Sequence, residues 1–134
     1  MDIKILFSSG IISVIISIVA NYFFNKKNEK YSLDNTLNMI LKISIEYPYL
    51  ENENFIIEWS NNHNKEKYNE KYMRYEVYYT LVFNFFERVC IYYNYNQKII
   101  YKYINLKECV RLHRLAWEGD LYNNIDSYSE KLKK

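Results

Sequence analysis

"SSGIISVIISIVANYFF" (residues 8–24) carries the strongest apolar signal in a chain that is otherwise polar and rich in tyrosine. Carried back to Ile5, it gives a stretch of uncharged residues from Ile5 to Phe24. Wound as an α-helix, such a stretch extends about 30 Å, which matches the hydrocarbon thickness of a bilayer. A single segment satisfies its backbone in lipid only as a helix. Tyr22, Phe23 and Phe24 then form an aromatic belt ahead of the charged "NKKNEK". A cleaved signal peptide needs a basic leader and a small-x-small cleavage site. Here Lys4 is offset by Asp2, and no such site follows the apolar run. A buried core helix is the third reading. The expectation is an N-terminal anchor, residues 1–27, with a transmembrane helix over about 5–24.

The flanks set an orientation for that anchor. Lys26, Lys27 and Lys30 follow the segment, against Lys4 and the amino terminus before it. The positive-inside tendency then predicts a single-pass protein of the cell membrane, with its N-terminus outside and the rest cytoplasmic. Within the segment, Ser9, Ser13, Ser17 and Asn21 recur every four residues and form one slowly winding stripe. Small polar residues let two such helices approach closely and hydrogen-bond, which points to self-association. The alternative is that each serine bonds back to its own helix.

Outward from the anchor, "YSLDNTLNMILKISIEYP" has apolar residues at helical spacing until Pro48 forces an end near Tyr47. "YLENENFIIEWSNNHNK" gives a short helix around Phe55 to Trp59. From about Lys65 to Tyr95 the residues Tyr68, Tyr72, Tyr75, Tyr79, Val82, Phe86, Val89 and Tyr93 alternate in steps of four and three. That is one helical seam, and Val77, Leu81 and Phe85 add apolar character opposite it. This helix is expected to be the longest element and the centre of the domain. "NYNQ" interrupts, "KIIYKYIN" makes a short helix, and Asn105 with Glu108 resembles a capping box. The helix it opens runs to Trp117 and stops at Gly119. The fold class is all-α: a transmembrane helix, then a small cytoplasmic helical bundle (residues 28–119) around one long central helix, then a polar tail (120–134).

Composition narrows the function classes. Sixteen tyrosines against two glycines and one proline fit drift in an A/T-rich genome as well as any selected role. The net charge of +2, with acids and bases interspersed, gives no field for nucleic acid, and no nucleic-acid partner is expected. Two glycines cannot build a phosphate cradle, and the two histidines and two cysteines show no ligand spacing. No cofactor, metal site or catalytic motif is expected. Cys90 and Cys109 are expected as free thiols on helices.

Two polar groups are candidate sites. Asn84 and Glu87 lie in the most apolar helix, where a lone amide or charge is costly, and His113 shares an apolar face with Leu106, Cys109 and Trp117. Asn84, Glu87 and His113 form either a buried polar clasp or a pocket. Arg111 and Arg114 are either ligand-facing or paired at the surface with Glu108 and Glu118.

With a short apolar lead, then "IEYPYL", "RYEVYYTLVFNFFERVCIYY" and "VRLHRLAW", the chain resembles small uncharacterised bacterial single-pass membrane-anchored helical-domain proteins. That resemblance implies the fold and topology and carries over no catalytic residue. The function expected is a membrane-tethered interaction module that forms a homo-oligomer and binds a protein partner. The alternative is a membrane-acting effector, a toxin or host-defence component, whose anchor oligomerises to perturb the bilayer.

Overall fold

The computed structural model describes the backbone of residues 3–118 and side chains from residue 13 onward. Among the described residues six α-helices follow one another: α1 (Ile3–Glu46), α2 (Glu53–Asn62), α3 (Glu70–Tyr92), α4 (Gln97–Tyr103), α5 (Leu106–Leu112) and α6 (Arg114–Glu118). A 3₁₀ turn, Pro48–Glu51, joins α1 to α2. No strand occurs among the described residues, so the all-α class holds. The expected stop at Gly119 and the polar tail lie outside the described residues.

The transmembrane anchor does not hold. Among the described residues no helix is long and apolar enough to cross a membrane. Among the residues whose side chains are described, Ser13, Ser17 and Asn21 interrupt the apolar run and lower its mean hydropathy. α1 then continues through Lys26, Lys27, Glu29 and Lys30. The single-pass topology, the cell-membrane placement and the orientation inferred from the lysines fall with the anchor.

The chain divides into two compact units, Met1–Asp34 and Asn35–Lys134. In the first, Lys30 pairs with Asp34 one turn on. Val14, Ile15, Ile16, Ile18, Val19, Tyr22 and Phe23 are each 48–64% exposed.

Local chemistry explains the boundaries in the second unit. Pro48 cannot extend α1 and instead opens the 3₁₀ turn. Asparagines start three of the following helices: the side chain of Asn52 accepts from the Phe55 N–H (3.1 Å), Asn69 from Lys71 (3.0 Å), and Asn105 from Glu108 (3.4 Å). Asn94 and Tyr95 take left-handed backbone (φ 49° and 57°), and the Tyr95 N–H donates to the Cys90 carbonyl at 2.7 Å. Those two residues end α3 at "NYNQ".

α3 is the central helix of the domain, although α1, at 44 residues against its 23, is the longest element. α3 starts later than the seam predicts, at Glu70, and Tyr68 ahead of it is 95% exposed. The opposite side is less apolar in effect than expected, since Val77 is 72% exposed. Two strips of α3 are buried. Tyr75, Tyr79 and Phe83 meet Trp59 of α2 and Trp117 of α6, with ring centroids 4.9–5.6 Å apart. Tyr78, Val82, Phe85 and Phe86 occupy the adjoining strip.

Candidate functional site

The site grows from three elements that sequence distance keeps apart. The 3₁₀ turn ends on Glu51, α3 presents Tyr75 and Tyr78 three residues apart, and the helix expected over 105–117 is broken at His113. His113 has φ −94° and ψ 17°, outside helical geometry, and its side chain is 0% exposed. Burying an imidazole requires partners for both nitrogens. Nδ1 lies 2.9 Å from the Tyr75 hydroxyl, and Nε2 lies 3.4 Å from Glu51 Oε1. A carboxylate only accepts, so the network assigns the proton to Nε2 and makes the Tyr75 O–H the donor to Nδ1. The Tyr78 O–H donates to the same Glu51 oxygen.

Electrostatics follow from this geometry. Burial raises the Glu51 carboxyl, but hydrogen bonds from His113 and Tyr78 outweigh it and hold the group below the ordinary carboxylate range. Glu51 is therefore ionised near neutral pH. Burial pushes both tyrosine hydroxyls upward, reinforced by the charge of Glu51. They remain neutral donors. Burial, with Glu51 and Glu108 nearby, pushes the Cys109 thiol up to about 12. Such a thiol is a poor nucleophile.

Glu51 and Tyr78 also border a cavity of about 490 Å³. Its apolar walls come from Leu37, Ile40 and Leu41 of α1 and from Val82, Phe85 and Phe86 of α3. Ser44, Tyr103, Ile104, Asn105 and Cys109 complete the lining. His113 stands behind Glu51, outside the lining and without solvent exposure, so it holds the carboxylate in place. This arrangement offers a fixed anion at the edge of an apolar chamber.

The structure does not bring the expected polar cluster together. Asn84 is exposed and Glu87 half-buried, while His113 bonds to Tyr75 and Glu51. At about 100° per residue, nine positions carry Asn84 to the side of α3 opposite Tyr75. Arg111 pairs with Glu108 (2.7 Å) and Glu53 (3.5 Å), and Arg114 with Glu118 (2.9 Å), all exposed. The arginines are engaged at the surface. Cys90 and Cys109 are free thiols, the first buried and the second half-buried. The side chain of Ser9 lies outside the described residues; Ser13, Ser17 and Asn21 are exposed, and the Ser17 hydroxyl donates to the Ser13 carbonyl at 2.9 Å. Among the described residues no group of three His, Cys, Asp or Glu could hold a metal ion.

Sequence reasoning missed Glu51, Tyr75 and Tyr78 as polar partners. One signal was available: a buried histidine needs an acid or hydroxyl partner, and Glu51 follows directly on the turn that Pro48 imposes. No protein-family model, curated protein or solved structure matches the chain.

Proposed function

We propose that the protein is a helical interaction module that self-associates through the apolar arc of α1. The observation that carries this reading is the exposure of seven large apolar side chains between Val14 and Phe23, with Phe24 exposed on the other side of the helix. At about 100° per residue they sweep an arc of about 200°, twice the stripe that a helix buries against one neighbour. An identical helix offers the matching surface, and an arc this wide is covered by two neighbours. The assembly expected is a bundle of three or more copies.

The polar stripe expected to mediate the contact lies on the remaining sector of the helix. Ser17 spends its hydroxyl on its own backbone there, which supports contact through the arc instead. Covering the exposed half of each side chain stabilises by about 1 kcal/mol, or about 7 kcal/mol per chain. Association costs of about 4 kcal/mol and upward leave a surplus only if most of the arc is covered. Carried on such a cluster, the helical domains meet a protein partner in several copies, so weak single contacts add.

Sedimentation equilibrium of the full chain, checked by chemical cross-linking, tests the reading. The wild type should exceed a dimer, and Ile15→Glu with Val19→Glu should lower the mass without changing helicity. A monomeric wild type, or an unchanged mass in the double variant, refutes it.

A further inference from the structure

We propose that the cavity between the C-terminal part of α1, α3 and the α4–α5 connection binds a small organic cation, an ammonium on an apolar body, with Glu51 as its counter-ion. At about 490 Å³ the chamber falls in the size range of small-molecule pockets. Its lining contains one ionised side chain, Glu51, and neither lysine nor arginine. Oε1 of Glu51 is fixed by Tyr78 and His113, whereas Oε2 receives no protein donor among the described residues.

The Glu51 side chain is 36% exposed, so water rather than protein answers Oε2. An ammonium donor replaces that water with a charge-assisted bond, and the preset geometry of Glu51 spares the cost of ordering it. The aromatic rings of Tyr78, Phe85, Phe86 and Tyr103 in the lining add faces to which a cation is attracted. The aliphatic walls take the apolar body. An anionic ligand meets Glu51 with no compensating base, and a neutral one, even a hydroxyl donor, leaves the charge of Glu51 uncompensated. The chemistry selects a cation.

The test uses the full-length chain and three isosteric probes: 4-phenylbutylammonium, 4-phenylbutanol and 4-phenylbutyrate. Calorimetric titration at pH 7 should show the ammonium binding at least about tenfold tighter than the alcohol, as pairing the charge of Glu51 predicts, and the carboxylate weakest. Methyl resonances of Ile40, Leu41 and Val82 should shift on addition of the ammonium. Glu51→Gln should bring the ammonium down to the level of the alcohol, and Leu41→Trp, which narrows the chamber, should weaken both. Equal affinities of ammonium and alcohol in the wild type overturn the proposal. So do tighter binding of the carboxylate and shifts confined to methyls elsewhere. The wild-type series decides the matter even if Glu51→Gln fails to fold, and none of these readouts depends on oligomer size.

Discussion

Replacing Tyr75 by phenylalanine deletes one oxygen from the centre of the domain and leaves the ring in place. The ring's contacts with Phe55, Trp59, Tyr79 and His113, at centroid separations of 4.9–5.8 Å, should survive. What goes is the 2.9 Å bond to His113 Nδ1. Tyr75 and His113 are both fully buried, so no solvent reaches the orphaned nitrogen. An unsatisfied buried acceptor costs about 1–3 kcal/mol, and about 2 kcal/mol is expected here. For a domain of this size that lowers Tm by about 10 °C. Thermal and urea unfolding of Tyr75→Phe measure the loss, with Tyr68→Phe as the exposed control, expected within about 0.5 kcal/mol of wild type. The ¹⁵N shifts of His113 should report the Nε2–H tautomer in the wild type. A Tyr75→Phe stability indistinguishable from that of the control, or an Nδ1–H tautomer, refutes the assigned direction of the network.

Glu51 predicts an acid limb. Its carboxyl is held below the ordinary range, so the unfolded chain takes up this proton first as pH falls. The stabilisation is complete above the ordinary carboxylate pKa and is lost as pH drops through the folded value; urea midpoints from pH 7 to 3 should fall less steeply in Glu51→Gln. A matching slope in the two proteins removes the claim. For Cys109, a thiol pushed up to about 12 holds little thiolate at pH 8, and its higher intrinsic nucleophilicity recovers part of the difference. Alkylation in the native protein should run about a hundredfold slower than in urea, followed by peptide mass spectrometry. Equal rates would show that the thiol does not sit in the environment described.

Elements set by neighbouring residues were legible in the sequence. Pro48 stops α1 through a steric clash with the residue before it, Asn105 caps through a side chain three positions from the amide it binds, and the α3 seam from Tyr72 onward follows helical spacing. The equally local caps at Asn52 and Asn69 were not read, which is why α3 was expected to start near Lys65. The site was not legible, because its bonds join residues far apart: Tyr75 and His113 are 38 positions apart, Glu51 and His113 are 62. Periodicity placed His113 on an apolar face but could not say which helix would answer it. Asn84 and Glu87 were the nearest polar residues in the right helix, on its wrong side.

The apolar N-terminal stretch failed for a related reason. Apolar side chains ask to be covered, and a window of sequence does not say by what. Lipid requires the run to be apolar on every side, whereas a neighbouring helix requires only one apolar side. From Val14 to Phe23 the large side chains keep to an arc of about 200°, and Ser13, Ser17 and Asn21 share the remaining sector with Phe24. A lipid environment would tax that polar sector, and a water-facing outer surface of a bundle would not. The sidedness of the helix therefore supports protein rather than hydrocarbon as its cover.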